Sequence, residues 1–336
     1  MKLRYLPDAG PGYGRMRKGK GYCYVDSDGK RVTDPDELSR FNTLRIPPAW
    51  KDVWISPSPR GHLQATGVDQ EGRKQYLYHP DWTRERQQQK LHRMLAFGRA
   101  LPEIRRRMRK DFRREIPTKE KTSATALKVT EATLIRIGNE QYRKRYGSHG
   151  LTTLRKKHVQ INGPDISFRF KGKKGVWHEL SIRDAALAST LEALADMRGG
   201  YLFQYIDETG KRRRLRAADL NEYIQGHTGD GFSSKDYRTW YAGLWAFRLL
   251  AKCPDYADTK ACQATVLSVV DAVSERLGNT RSVCKQYYIP DRLLTAFEDG
   301  TLLPYLRSSR NGNGQPTKKE TEQQFLRFLQ DISGEQ

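Results

Sequence analysis

Two adjacent tyrosines near the end of the chain lie in a basic neighbourhood that could make one of them reactive. The segment from 277 to 291 reads Leu-Gly-Asn-Thr-Arg-Ser-Val-Cys-Lys-Gln-Tyr-Tyr-Ile-Pro-Asp. A phenol with a pKa near 10 is a poor nucleophile unless cations surround it. Here Arg276, Arg281 and Lys285 are close in sequence. A tyrosine in a helix more often belongs to the core, so this segment alone leaves both interpretations open.

The whole chain carries a large excess of positive charge. Its 336 residues include 61 Lys and Arg against 39 Asp and Glu, a formal net charge of +22. Such an excess is typical of proteins that bind nucleic acid, anionic lipid or acidic proteins. The basic residues are spread along the chain, whereas membrane-binding proteins concentrate them in one helix or tract, so nucleic acid is favoured over lipid.

Two runs of basic residues are candidates for phosphate contact. They are Arg105, Arg106, Arg107, Arg109, Lys110, Arg113 and Arg114, and then Lys211, Arg212, Arg213, Arg214 and Arg216. A solvated helix face explains the first run equally well. Only Asp111 and Glu115 are acidic nearby in sequence, which favours phosphate contact.

Several other kinds of chemistry lack their sequence signature. The four cysteines, Cys23, Cys253, Cys262 and Cys284, have no C-x-x-C spacing, so neither a disulfide framework nor a zinc site is indicated. There is no G-x-x-x-x-G-K-[ST] loop and no dense carboxylate cluster of the two-metal kind. No long apolar run and no secretory signal is visible, so we expect a soluble protein in a reducing, intracellular compartment.

The pattern of elements predicts an α+β protein with two domains. The first eighty residues are rich in Gly, Pro and short β-type segments. Helical periodicity begins at Asp81, so we predict a β-rich domain at 1–85, a mainly helical domain at 86–336 and a hinge near 80–90. The helical domain is predicted to contain a helix from Ser123 to Tyr146, then short strands, including LTTLR, KHVQI, DISFRF and WHELSI. After these we predict further helices, a flexible linker SSRNGNGQP and a last helix from Lys318 to Ile332.

One strand of the β-rich domain mixes aromatic with polar and basic residues. It reads Arg73-Lys74-Gln75-Tyr76-Leu77-Tyr78. Alternation places Gln75 and Leu77 on one face and the two tyrosines on the other. The aromatic row could be core, or it could contact a nucleic-acid groove, with Gln75 able to pair with adenine.

Three further segments, read beside the tyrosine segment, resemble the type IB DNA topoisomerases over nearly the whole chain. LIRIGNEQY, residues 134–142, resembles the helix with that family's first catalytic arginine, which implies Arg136. FKGKKG, residues 170–175, resembles its β-turn with the catalytic lysine, which implies Lys173 as the general acid. SKDYRTW, residues 234–240, resembles its K-D-x-R-T motif, which implies Arg238. The K-x-x-Y ending selects Tyr288 over Tyr287 as the nucleophile.

The N-terminal segments IPPAW and GRKQYLY resemble the bacterial, poxvirus-like branch of this family. In that branch the equivalents of Gln75, Tyr76 and Tyr78 touch DNA. Further residues are predicted to bind DNA because they are basic and adjoin the matched motifs: Arg73, Lys74, Lys174, Lys235, Arg281 and Lys285.

Asn279 departs from part of the family, because poxviral and nuclear members have histidine nine residues before the nucleophile. Either side chain can donate one hydrogen bond to a phosphate oxygen, but the amide does not ionise. Bacterial relatives carry asparagine, so the resemblance implies Asn279 as the fifth member of the site.

The resemblance implies an isomerase that relaxes supercoiled duplex DNA through a 3′-phosphotyrosyl intermediate, with neither ATP nor metal. It also implies a C-shaped clamp whose catalytic domain has a small three-stranded sheet, a monomeric state, and a cytoplasmic, nucleoid-associated location. A tyrosine recombinase and a non-catalytic DNA-binding protein are the alternatives. Both are disfavoured, the first because Lys235-Asp236-Tyr237-Arg238 lacks the H-x-x-R box and the second because the five site residues are all present.

Overall fold

A computed structural model describes residues 2–19, 21–226, 228, 231–253, 258–307 and 317–334, with the side chains of Lys174 and Arg307 left out. The predicted linker SSRNGNGQP lies outside the described residues. Contacts divide the chain into two compact units, Met1–Gln89 and Lys90–Gln336. The division falls inside a single long helix, and the domain roles predicted from sequence stay predictions.

The first unit is an antiparallel sheet with one helix. The sheet has the order β2-β1-β3-β4-β5, and α1 begins at an Asp34 cap followed by Pro35, a combination that favours a helix start. Phe41 of the helix packs with Ile46, Val53, Ile55 and Ala65 to form the core. The elements are β1 (Tyr13–Lys18), β2 (Gly21–Val25), α1 (Pro35–Thr43), β3 (Lys51–Ile55), β4 (Leu63–Val68) and β5 (Lys74–Tyr78).

The second unit is mainly helical and has its own large core. Its helices are α2 (Pro80–Phe112), whose first turns belong to the first unit, α3 (Lys119–Thr133), α4 (Glu140–Tyr146), α5 (Ala185–Asp196), α6 (Ala217–Gln225), α7 (Ser234–Leu250), α8 (Thr259–Leu277), α9 (Arg281–Tyr287), α10 (Asp291–Glu298), α11 (Leu303–Arg307) and α12 (Lys318–Ser333). A three-stranded antiparallel sheet contains β6 (Val159–Asn162), β7 (Asp165–Lys171) and β8 (Trp177–Arg183), and a two-stranded sheet contains β9 (Gln204–Ile206) and β10 (Arg212–Arg214).

The long helices α2, α7 and α12 pack closely around Trp240. Its ring contacts Phe97 of α2 and Phe325 of α12. Gly98 permits this approach, because a Cβ at that position would lie 2.3 Å from the Trp240 ring. The packing fixes α7, which carries Arg238, against the core.

The predicted α+β class is confirmed, including the β-rich N-terminal unit and the three-stranded sheet. Two local predictions are wrong. The helix predicted from Ser123 to Tyr146 is two helices, because Leu134 adopts a left-handed conformation with φ 58° and ends α3. The segment LTTLR forms a short 3-10 helix, Leu151–Thr153, instead of a strand. No helix among the described residues is long and apolar enough to cross a membrane.

Candidate active site

Arg136 lies between α3 and α4, outside any regular element, and not on a helix as the motif had suggested. The Arg136 carbonyl accepts from Leu151 N at 2.8 Å, and the Ile137 carbonyl accepts from Thr152 N at 2.8 Å. Gly150 makes this pairing possible, because a Cβ there would lie 2.5 Å from the Arg136 carbonyl oxygen. The backbone at Arg136 and at the next residue is therefore fixed by a segment about 15 residues further along the chain.

The turn between α8 and α9 receives the guanidinium of Arg136. Gly278 ends α8 with a φ of 58°, a left-handed conformation that glycine adopts at little cost, and this turn exposes the next residue, Asn279. Arg136 Nη2 donates to the Gly278 carbonyl at 3.0 Å and also to Asn279 Oδ1. The first arginine and the asparagine of the predicted site are thus in direct contact.

Arg238 projects from the first turns of α7 and is only 6% exposed. It donates to the carbonyl of Leu134 and, at 2.9 Å, to the carbonyl of Leu277. Asp236 does not pair with it. That carboxylate is bound by Arg93 at 2.6 and 2.8 Å and caps α7 through Ser233 N. The alternative that Arg238 is a structural partner of Asp236 is therefore wrong.

Tyr288 follows α9 directly and lies beside Arg238, whose Cζ is 5.7 Å from the centre of the phenol ring. Burial raises the pKa of Tyr288, but the charges of Arg238 and Arg136 outweigh burial and hold it below its ordinary value of 10.0. Burial and the charge of Arg136 lower the pKa of Arg238 to about 10, so it stays protonated at neutral pH. Tyr287 is 50% exposed.

Two buried N–H groups of this site, Arg238 Nε and Asn279 Nδ2, make no well-aligned hydrogen bond within the described ranges. Looser side-chain contacts of Arg238 and Asn279 with Tyr288 help to lower the pKa of that phenol. Unsatisfied buried donors are rare because each costs roughly 1–3 kcal/mol. Both arginines bind backbone carbonyls or an amide, and neither has a carboxylate partner in the part of the chain that the structure describes. The site is therefore an uncompensated positive pocket with donors available to an anion.

Lys173 is in the turn between β7 and β8, where the sequence predicted it. It is exposed and makes no hydrogen bond or ion pair with the other described residues. It lines a small cavity together with Arg136 and Arg238, so three of the predicted cations face one space. Asn279 and Tyr288 are not among the residues that line this cavity.

His178 is a residue of the site that sequence reasoning missed. Its ring stacks on Phe170 at 5.1 Å and packs against the backbones of Gly172 and Gly278, where an added Cβ would lie 2.5 and 2.7 Å from it. It thus joins the turn of Lys173 to the turn of Asn279. Burial and then the charges of Arg136 and Arg238 lower the pKa of His178, which keeps it neutral near pH 7. The alternation in WHELSI, which points His178 and Leu180 inward, was the available signal.

The predicted DNA contacts in the first unit lie on the edge strand β5. Tyr76 and Tyr78 are 47% and 41% exposed and stack on each other at 6.0 Å, so this aromatic row is not core. Gln75 donates to Asp69 at 2.8 Å, Arg73 pairs with Asp69 at 2.7 Å, and Lys74 pairs with Asp8 at 2.5 Å. The three polar residues are held within the unit, while the two tyrosine side chains remain partly exposed.

The predicted DNA contacts in the second unit differ in their pairing. Lys235 and Lys285 are exposed and have no ion pair among the described residues. Arg281 forms a bidentate pair with Asp271 at 2.6 and 2.7 Å. Lys174 belongs to the same turn as Lys173, and its side chain is outside the described structure.

Comparison with known proteins identifies the class. Residues 74–298 match the family model for the catalytic core of eukaryotic DNA topoisomerase I, and residues 21–69 match the N-terminal domain of bacterial DNA topoisomerase IB. The first match covers every candidate residue of the catalytic site.

Individual relatives agree over most of the chain. DNA topoisomerase 1B of Acanthamoeba polyphaga mimivirus is 30% identical over 292 residues, which cover 85% of this chain and 87% of the relative. DNA topoisomerase 1B of vaccinia virus (strain Copenhagen) is 23% identical over 296 residues, which cover 82% and 90%. The chain therefore belongs to the type IB DNA topoisomerases, as the sequence motifs had indicated.

Proposed function

We propose that the protein relaxes supercoiled duplex DNA, with Tyr288 as the nucleophile of a type IB reaction. The Tyr288 oxygen attacks a phosphodiester, the bond to the 5′ oxygen breaks, and a 3′-phosphotyrosyl ester and a 5′-hydroxyl strand result. Rotation of the free strand releases torsion, and attack by the 5′ hydroxyl reverses the step. The ester conserves the energy of the phosphodiester, so religation needs no ATP.

The observation that carries this proposal is the pocket of uncompensated charge beside a tyrosine of lowered pKa. Attack on phosphorus increases negative charge on the non-bridging oxygens, and positioned guanidiniums stabilise that charge most when no carboxylate neutralises them. Arg136 and Arg238 have that character, and the unpaired Arg238 Nε and Asn279 Nδ2 are donors suited to the same oxygens.

Lys173 acts in this proposal as the general acid. The departing 5′ oxygen is a very poor leaving group as an alkoxide, so its protonation as the bond breaks accelerates cleavage. Two observations support the assignment. Lys173 lines the same cavity as the two arginines, and its ammonium has no partner among the described residues.

The partner is double-stranded DNA, and we propose that the protein acts on it as a monomer associated with the nucleoid. The exposed Tyr76 and Tyr78, together with the unpaired Lys235 and Lys285, are proposed to contact the duplex. Arg73, Lys74, Gln75 and Arg281 join them when the phosphate backbone displaces their present carboxylate partners.

The nucleophile is tested with supercoiled plasmid in EDTA without ATP. We expect the protein to produce a ladder of topoisomers and Tyr288→Phe to produce none. Tyr287→Phe is the matched control, because the neighbouring phenol is half exposed, and it should relax the plasmid normally. Relaxation by Tyr288→Phe would refute the assignment.

The general acid is tested with a substrate whose 5′-bridging oxygen is replaced by sulfur, a leaving group that needs no proton. Lys173→Ala should cleave normal DNA roughly 10²- to 10⁴-fold more slowly, and sulfur should restore most of that loss. Lys171→Ala, from the exposed start of the same turn, is the control. If sulfur fails to restore cleavage, Lys173 is not the acid.

A further inference from the structure

Tyr288 lies just after the end of α9, where backbone carbonyls need hydrogen-bond donors from outside the helix. The last carbonyls of any helix have no partner within the helix. In α9, Tyr288 N and Ile289 N both donate to the Cys284 carbonyl at 3.0 Å. The carbonyl of Gln286 would next accept from residue 290, but that residue is Pro290, which has no N–H.

A lysine from another helix donates to this carbonyl. Lys90 of α2 donates from Nζ to the Gln286 carbonyl at 3.0 Å and to the Ile289 carbonyl at 3.1 Å. These two carbonyls stand two residues before and one residue after Tyr288. The positive charge also lies at the C-terminal end of α9, where it opposes the partial negative charge of the helix.

Lys90 is partly buried where it makes these two contacts. Burial lowers the pKa of Lys90 to about 8, and Asp291 at the start of α10 opposes that shift. Taking an ammonium out of water costs free energy, so the two hydrogen bonds to carbonyls must offset part of that cost. The described neighbours bind Lys90 only through these two carbonyls and the charge of Asp291.

We propose that Lys90 is a positioning residue for the nucleophile: its ammonium joins the Gln286 and Ile289 carbonyls and so fixes the backbone from which the Tyr288 phenol reaches the phosphate. The inference rests on the proposed role of Tyr288 and adds a residue that touches neither DNA nor the reacting atoms. Without the ammonium, the end of α9 loses the contact that holds these two carbonyls together.

The test compares single-turnover cleavage at saturating DNA for the full-length protein and Lys90→Met, which keeps the length of the side chain and removes the donor. We expect cleavage to slow by about 10- to 100-fold, because a displacement of about 1 Å at a reacting group has effects of that size. The dissociation constant for DNA should change by less than twofold. Lys260→Met, which removes an exposed lysine of α8, should cleave at the normal rate.

Two further readouts separate positioning from a general loss of structure. Lys90→Arg, which keeps charge and donors, should recover most of the rate. The 5′-bridging sulfur substrate should not relieve the defect of Lys90→Met, since the fault is at the nucleophile and not at the leaving group. If Lys90→Met fails to fold, Lys90→Gln, with an uncharged donor of shorter reach, is measured instead and should also be slow.

Cleavage within twofold of normal by Lys90→Met, or by Lys90→Gln if only that variant folds, overturns the proposal. A loss confined to DNA affinity, or a defect that sulfur relieves, also overturns it. Tyr288→Phe is assayed beside these variants. An inert Tyr288→Phe together with normal cleavage by the Lys90 variant refutes the role of Lys90 alone, whereas cleavage by Tyr288→Phe refutes both proposals.

Discussion

Two groups of buried or half-buried arginines in the second unit differ in the groups that bind them. Arg105 of α2 donates to Glu131 at 3.1 Å, to Glu322 at 2.7 and 2.9 Å and to the Tyr241 hydroxyl at 2.5 Å. Burial alone would lower the pKa of Arg105, but its hydrogen bond to Glu322 and the charges of the two carboxylates raise it well above its ordinary range. Arg136 and Arg238 bind carbonyls and an amide instead, and burial lowers the pKa of both.

Asp111 extends the first group. This fully buried carboxylate binds Arg107 at 3.1 Å and Arg114 at 3.0 Å, and it accepts from the Tyr223 hydroxyl at 2.9 Å. Arg106 pairs with Glu103 on the surface. The expectation that the basic run has few compensating acids is therefore wrong, because Glu131 and Glu322 come from α3 and α12.

The comparison shows how one residue type serves two purposes. A carboxylate partner neutralises the charge of an arginine. Such a pair can also join helices, as Arg105 joins α2 to α3 and α12. A carbonyl partner fixes the side chain but leaves most of its charge available to an incoming anion. Residue type and basic surroundings do not separate the two groups, and only the motifs around Arg136 and Arg238 distinguish them in the sequence.

Among these arginines, the largest effect on cleavage is expected at Arg238. Arg238→Ala should slow single-turnover cleavage by about 10²- to 10³-fold, the usual cost of one transition-state donor. Arg238→Lys keeps the charge but loses the forked donors, and it should recover only part of the rate. Rapid-quench measurement of the covalent adduct at saturating DNA checks both variants. If a higher DNA concentration restores the cleavage rate, Arg238 acts in DNA binding and not in the chemical step. The distinction between the two groups of arginines would then fail.

Arg105 should show the opposite behaviour. Arg105→Ala leaves Glu131 and Glu322 without their cation, so we expect the free energy of unfolding to fall by about 3–5 kcal/mol. Well below the melting temperature, cleavage should stay within a few-fold of normal. Urea denaturation measures the first quantity. Arg106→Ala, which removes an exposed pair, is the control and should leave the free energy of unfolding nearly unchanged.

The smallest effect concerns the rest of the basic run. Arg109, Lys110 and Arg113 are exposed and have no ion pair within the described ranges. Replacing them with Gln should reduce the slope of log affinity against log salt by about 0.9 for each phosphate that the variant no longer neutralises, and leave cleavage at saturation unchanged. Arg106→Gln should change the slope less, because Glu103 already neutralises that charge. If removing an unpaired cation and removing Arg106 change the slope equally, an ion pair with a carboxylate does not decide which cations bind DNA.

The sequence predicted the local parts of this molecule well. Lys173 in its turn, Arg238 at the start of α7 and Tyr288 after a short basic segment depend on neighbours within a few residues. The motifs around these three residues therefore predicted where they lie in the secondary structure. The periodic helices and the hairpins of the small sheet were predictable for the same reason.

What sequence could not show depends on contacts between distant segments. The backbone of Arg136 is held outside a helix by the segment at Leu151, whose N–H donates to the Arg136 carbonyl. The pairing of Arg105 with Glu322 joins residues 217 positions apart. Lys90 and the carbonyl of Gln286 are separated by 196 positions.

The central claim is that the uncompensated charge of Arg238 acts on a non-bridging oxygen of the phosphate that Tyr288 attacks. The direct test is single-turnover cleavage of a duplex in which a methyl group replaces one such oxygen at a mapped cleavage site and removes its negative charge. The account predicts that the defect of Arg238→Ala is at least tenfold smaller on one stereoisomer of this neutral substrate than on the phosphate. An equal defect on the phosphate and on both stereoisomers would contradict it.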